Sequence, residues 1–151
     1  MSNNMSLPPS TQPARIGPGV AVGVDEPMIE RLVHAFYGKV REDPQLGPVF
    51  SREIDDWGEH LGKLCDFWSS VLLMSGRFKG HPMAVHAQLA DIGPEHFARW
   101  LALFHETAAE ACPAEAAALF RARADQIGES LQLGMAFRRG EPPPMRSRGP
   151  L

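Results

Sequence analysis

Two histidines stand at the ends of the segment HLGKLCDFWSSVLLMSGRFKGHPMAVH, which runs from His60 to His86. A neutral imidazole can bind a metal ion through Nε2 when its other ring nitrogen has a hydrogen-bond acceptor. His86 follows Pro82 on a short predicted helix that comes after a glycine-containing break. The segment between the two histidines is apolar and aromatic, so it could form the wall of a site. On spacing alone, however, an ordinary structural role is favoured for both histidines.

Other residue types that carry chemistry occur without a decisive pattern. Neither Cys65 nor Cys112 belongs to a CxxC or CxxCH motif, so a cysteine zinc site and covalent haem attachment are both unsupported. A carboxylate di-iron bundle needs Glu-x-x-His pairs, and none of the six histidines has Glu three residues earlier. His105-Glu106 lacks a second histidine at position 109, so HExxH also fails. Tyr37 and Trp100 lie on apolar stripes, where packing is the simpler role.

The composition indicates one soluble domain. The chain has 151 residues, 44% of them hydrophobic, with a formal net charge of −3 and a pI of about 6.0. These values require no basic face, which disfavours a nucleic-acid partner. The longest apolar runs are too short to span a bilayer, and the start lacks the apolar region of a secretory signal. We therefore expect a cytoplasmic protein without a membrane partner.

Helical periodicity fills the region between two polar ends. Residues 1–24 and 138–151 are rich in Pro, Ser, Gly or Arg and are predicted to be mobile tails, which leaves a domain at 25–137. A first helix is predicted from about Asp25, because apolar residues then recur every three or four positions. LGPVF is predicted to be a short connector with two apolar side chains to bury. Asp55 or Asp56 can cap the next helix, which stops near Gly76.

Prolines mark where the remaining helices begin. Pro82 opens a short helix, Pro94 opens another, and Pro113 opens the last, which runs towards Gly134. No segment shows sustained strand alternation with hairpin turns. The predicted fold class is all-α, with about five or six helices. In the helix after Asp56, His60, Leu64 and Phe67 form a second stripe beside the main apolar one, so this helix is apolar over a wide arc.

Four segments together resemble the truncated haemoglobins, most closely their third group. They are AFYGKVREDPQLGPVF, WGEHLGKLCDFWSSVLL, GRFKGHPMAVH and HFARWLALF, in this order and spacing. The resemblance covers about residues 26–137 and is specific, because several rare residue types fall in register. It implies a truncated globin fold in which two pairs of antiparallel helices sandwich haem b, that is, iron protoporphyrin IX.

The resemblance also implies roles for individual residues. His86 would be the proximal iron ligand, and the polar distal residues would be Tyr37, His60 and Trp100. Leu64 and Phe67 would line the distal wall, supported by Trp68. Phe50 would pack on the haem edge, and Arg77 would pair with a haem propionate. His60 and His86 would thus face the haem from opposite sides, with the aromatic helix as the wall between them.

Such a site would bind small diatomic ligands at a five-coordinate iron: dioxygen, carbon monoxide or nitric oxide. Dioxygen becomes polarised on binding to ferrous haem, so nearby hydrogen-bond donors hold it. Tyr37 offers an O–H group, Trp100 an N–H group only, and His60 either ring nitrogen. A hydrogen bond to a charged group contributes roughly 1.5–3 kcal/mol, or about one to two decades in affinity. Trp100 would donate to the ligand or support a network centred on Tyr37.

Other functions remain open at the level of sequence. The same haem could serve a redox enzyme, such as a nitric oxide dioxygenase or a peroxidase-like enzyme. That activity would depend on an external reductase, because the chain has no recognisable flavin or nicotinamide domain. A helical interaction module without a cofactor is a third hypothesis. Turnover with a reductant separates the first two, and a red protein with a Soret band excludes the last.

Overall fold

The computed structural model describes residues 16–80 and 92–138, and every regular element in these ranges is helical. The five α-helices are α1 (Glu26–Glu42), α2 (Gly47–Glu53), α3 (Trp57–Leu73), α4 (Pro94–Ala111) and α5 (Ala114–Arg138). A single 3-10 turn at Val20–Val22 precedes them. The predicted all-α class is confirmed.

Local side-chain chemistry sets where the helices begin. The Asp25 carboxylate accepts the Met28 N–H at 3.0 Å, and the Asp56 carboxylate accepts the Glu59 N–H at 3.1 Å. Each of these bonds satisfies a backbone donor that has no partner inside its helix. α4 begins at Pro94, where a missing N–H costs nothing. These three starts agree with the sequence, whereas α3 ends three residues before the predicted Gly76, at Leu73.

The core forms where α1 packs against α3 and α4, and where α4 packs against α5. The apolar stripe predicted for the first helix is buried at all its positions: Met28, Ile29, Leu32, Val33, Phe36, Tyr37 and Val40. Aromatic rings fill the centre: Trp68 of α3 stacks on Phe104 of α4 at a centroid distance of 5.2 Å, and Phe36 of α1 meets Phe104 edge-on at 5.0 Å. The arrangement fixes α1, α3 and α4 relative to one another, and these three helices carry most of the site described below.

Two predictions about the chain outside the main helices were wrong. LGPVF is not a connector, because Gly47–Glu53 forms α2; the expected burial of two apolar side chains does occur, at Val49 and Phe50. The predicted tail boundary at residue 24 is also too late: Val24 is buried, and the Gly19 N–H donates to the Leu72 carbonyl at 2.8 Å. This bond partners one of the carbonyls left unpaired at the end of α3.

The close approach of this segment to α3 depends on glycine. A Cβ on Gly17 would overlap the carbonyl oxygen of Leu72 and the backbone of Leu73. We expect Gly17→Ala to lower the free energy of unfolding by about 1–3 kcal/mol, the usual cost of overpacking. Gly38→Ala, on the exposed side of α1 with open space around it, is the matched control and should stabilise by about 0.4–1 kcal/mol. Urea unfolding measures both, and equal effects would show that residues 16–19 are not docked.

Candidate functional site

A cavity opens beside α3 and α4 and extends to α5. As lined by the described residues, it has a volume of about 170 Å³. The lining is mostly apolar and aromatic, with a small polar group on one side. The lining residues are Tyr37, His60, Lys63, Leu64, Phe67, Trp68, Phe78, Trp100, Ile127 and Leu131.

The polar side of the cavity consists of Tyr37 from α1, His60 from α3 and Trp100 from α4. The Trp100 indole N–H donates to the Tyr37 hydroxyl oxygen at 3.4 Å. Because that oxygen is the acceptor, the tyrosine keeps its own hydrogen to donate elsewhere. The His60 ring meets the Tyr37 ring edge-on, with centroids 5.9 Å apart. The three residues that the sequence predicted as distal donors therefore lie together.

Tyr37 is held in a buried setting. Only 5% of the residue is exposed, and its ring packs edge-on against Phe36 at 4.6 Å. Burial raises the pKa of the Tyr37 hydroxyl from 10.0 to about 12, against a smaller lowering by the hydrogen bond from Trp100. The hydroxyl therefore stays protonated, and able to donate, throughout the physiological pH range.

The raised pKa of Tyr37 can be measured directly. Tyr37 is the one tyrosine in the chain, so any tyrosinate absorption comes from this residue. We expect ultraviolet absorption of tyrosinate to show a midpoint near pH 12 in the folded protein and near 10 after unfolding in urea. The folded state holds this proton more tightly than the unfolded chain does. The contribution of the protonated Tyr37 hydroxyl to the free energy of unfolding is thus complete below about pH 10 and is lost as the pH rises towards 12. A native midpoint near 10 would show that the hydroxyl is in contact with water.

The apolar walls come largely from one face of α3. His60, Leu64 and Phe67 follow one another at spacings of four and three, so they share a helix face, and all three line the cavity. Phe67 packs edge-on against Phe78, with centroids 5.3 Å apart. The second apolar stripe predicted for this helix thus faces the cavity, while Trp68 on its border also stacks in the core.

Phe50 lies behind Tyr37 and is not among the described residues that line this cavity. Its ring is 6.0 Å from that of Tyr37, and it lines a smaller adjoining hollow that shares Trp100 and Leu131 with the larger one. α2, which carries Phe50, was predicted to be a connector. In this structure Phe50 supports the polar side of the cavity from the rear.

Arg77 is engaged with another group. Its Nε lies 3.3 Å from a carboxylate oxygen of Glu26, which also accepts the Ser69 hydroxyl at 2.6 Å. Among the described residues, the cation that does line the cavity is Lys63, one turn after His60. Lys63 was not among the predicted site residues, although its position three residues after His60 on the same helix indicates this placement. Phe78, Ile127 and Leu131 were likewise not assigned to the site.

His86, the predicted iron ligand, and the short helix predicted from Pro82 belong to residues 81–91, which lie outside the described residues. The role of His86 therefore stays a prediction.

None of the helices in residues 16–80 and 92–138 combines the length and hydropathy needed to cross a membrane.

Comparison with known proteins identifies the family. Residues 21–127 match the family described as bacterial-like globin. A group 3 truncated haemoglobin of Campylobacter jejuni is 38% identical over 88 residues, which span 56% of this chain and 69% of that protein. The crystal structure of a group III truncated haemoglobin from Campylobacter jejuni superposes with a TM-score of 0.68 at 34% identity, covering 72% of this chain and 88% of the other. The chain therefore belongs to the bacterial-like globin family and has the truncated globin fold of the group III truncated haemoglobins.

Proposed function

We propose that the cavity holds haem b and that the protein binds dioxygen and other diatomic ligands beside Tyr37. Membership of the globin family supports haem binding. The proposal that diatomic ligands bind beside Tyr37 rests on one observation. Tyr37, His60 and Trp100 form a polar group on one side of an otherwise apolar, aromatic cavity. Such a small, localised set of donors is what a polar diatomic ligand in an apolar site requires.

The residues present fit this cofactor. Haem is flat and mostly apolar, with two carboxylates on one edge. Leu64, Phe67 and Phe78 offer the apolar contact, and Lys63, 67% exposed, offers a cation that can reach a carboxylate. Arg77 stays a second candidate for a propionate. His86 would be the protein ligand, and haem when bound supplies an iron position at which diatomic gases bind.

The protein's own contribution is to hold a hydrogen-bond donor in a dry setting. The Tyr37 hydroxyl stays protonated at neutral pH, and its oxygen already accepts from Trp100. Its hydrogen is therefore free to point at a ligand that carries partial negative charge. Phe36 and Phe50 pack around the ring and restrict its movement. A donor that is already oriented loses little freedom when the ligand arrives.

Filling the cavity tests its assignment as the haem site. Leu64→Trp places an indole in the lining, and we expect it to lower haem uptake strongly, as followed by Soret absorption during titration with haemin. Gly62→Trp adds the same group to the same helix at an exposed position with open space around it. This control should take up haem like the parent protein. Normal uptake by Leu64→Trp would place the haem elsewhere.

A further inference from the structure

A buried carboxylate joins three helices next to the site. Asp43 follows the last residue of α1, and its side chain is only 3% exposed. One carboxylate oxygen accepts the Gln45 and Leu46 N–H groups at 3.0 and 2.9 Å, which fixes the approach to α2. The other oxygen lies 2.8 Å from both Nε and Nη2 of Arg99 on α4. The carboxylate therefore ties the end of α1 and the beginning of α2 to α4.

This ion pair is present at neutral pH. Burial by itself raises the pKa of Asp43, but the N–H groups of Leu46, Arg99 and Gln45 outweigh it and keep the pKa below its usual value. The carboxylate is thus ionised at neutral pH. Two guanidinium nitrogens of Arg99 contact the same oxygen of Asp43. A planar guanidinium makes such a contact more directional than the ammonium of a lysine would.

Both residues of the ion pair lie near, along the chain, the two residues whose hydrogen bond borders the cavity, Trp100 and Tyr37. Arg99 immediately precedes Trp100 on α4, and Asp43 ends the helix that carries Tyr37. The Trp100 Nε1 to Tyr37 Oη distance of 3.4 Å is near the upper limit for a hydrogen bond. A relative shift of α1 and α4 by a few tenths of an ångström would break it. This contact is therefore sensitive to whatever fixes the two helices.

We propose that Asp43 and Arg99 are positioning residues that hold Trp100 in hydrogen-bond contact with Tyr37. The contact joins two side chains of the protein itself, so the positioning role depends only on their geometry. Its effect on oxygen binding rests on the proposed function. Neither Asp43 nor Arg99 is among the described residues that line the cavity. Both act through the placement of the helices that they join.

A second ion-pair cluster links the same helices and serves as a control. Lys39 on α1 lies 2.8 Å from Glu106 and 2.7 Å from Glu110 on α4. The two glutamates are 55% and 60% exposed, so these side chains can move without shifting the backbone. Exposed pairs of this kind contribute little to structure. We expect Lys39→Met to leave the Tyr37–Trp100 contact unchanged.

The experiment compares Arg99→Met, Asp43→Asn, Arg99→Lys and the Lys39→Met control. The indole N–H resonance of Trp100 is followed by NMR on the purified, nitrogen-labelled protein and assigned with Trp100→Phe. Oxygen and carbon monoxide dissociation are then measured by stopped flow. We expect Arg99→Met and Asp43→Asn to shift the indole resonance and to speed oxygen dissociation about fivefold, as for loss of one neutral hydrogen bond. Carbon monoxide dissociation should change little, and Arg99→Lys should restore part of the effect.

Using both partners separates positioning from a direct electrostatic effect. Removing the cation and removing the carboxylate change the local charge in opposite directions, so a field effect would alter oxygen dissociation with opposite signs. Loss of positioning gives the same sign in both variants. A Trp100 resonance unchanged in both variants would overturn the proposal, even if thermal stability fell. If Trp100→Phe itself leaves oxygen kinetics unchanged, the link between this contact and oxygen binding fails, while the indole resonance still decides the positioning role. Failure of the protein to take up haem would instead contradict the proposed function.

Discussion

Replacing His86 with Ala is expected to abolish stable haem binding, so that the variant loses its Soret absorption during gel filtration. A globin-type site depends on one strong protein ligand to iron, and apolar contacts alone hold the cofactor weakly. Added imidazole should restore part of the binding, because it can enter the space left by the side chain. The absorption spectrum before and after gel filtration measures both effects.

His34→Ala is the control for this experiment. His34 lies on the exposed side of α1, away from the cavity lining. The variant should retain haem like the parent protein. If His86→Ala keeps a normal haem spectrum after gel filtration, another residue binds the iron, and the assignment of His86 fails.

Replacing Tyr37 with Phe is expected to speed oxygen dissociation by about tenfold or more and to leave carbon monoxide dissociation nearly unchanged. The substitution keeps the ring and removes the donor, and a hydrogen bond to a charged acceptor contributes about 1.5–3 kcal/mol. Carbon monoxide is much less polarised when bound and gains less from the donor. Stopped-flow measurement with both gases separates the loss of a hydrogen bond from a change in access.

Trp100→Phe tests how the donor pair is organised. The sequence left open whether Trp100 donates to the ligand or supports Tyr37, and the 3.4 Å bond from Trp100 Nε1 to Tyr37 Oη favours support. In that case Trp100→Phe should have the smaller effect on oxygen, and the double variant should resemble Tyr37→Phe, because residues in one network are not additive. Additive effects would mean that each residue contacts the ligand by itself. Equal changes for both gases would mean that Trp100 acts by packing.

The sequence predicts the helical core well because its information is local. The stripe of α1 repeats at the helical period, and Asp25 and Asp56 cap the helices that they precede. His60, Leu64 and Phe67 fall on one face by spacing alone, so their common orientation towards a cavity also follows from the sequence. That this cavity is a haem site does not follow from spacing; it depends on the family resemblance.

The features that the sequence does not predict depend on contacts between distant segments. Gly17 and Gly19 pack against the end of α3, some fifty residues away, and nothing in their own neighbourhood indicates this. Phe50 packs behind Tyr37 from a helix, α2, where the sequence indicated a connector, and its place at the haem edge stays a prediction. Arg77 pairs with Glu26, fifty-one positions earlier, which its own neighbourhood in the sequence does not indicate. Its role at a propionate stays a prediction.

The absorption spectrum of the purified, haem-loaded protein, recorded in the reduced state before and after addition of carbon monoxide, tests the central claim most directly. We expect a five-coordinate ferrous spectrum that converts to a six-coordinate spectrum on addition of the gas. Failure to take up haem would contradict the proposed cofactor. A six-coordinate ferrous spectrum without added ligand would show that a side chain such as His60 occupies the position beside Tyr37, and the open, donor-lined site proposed here would be wrong.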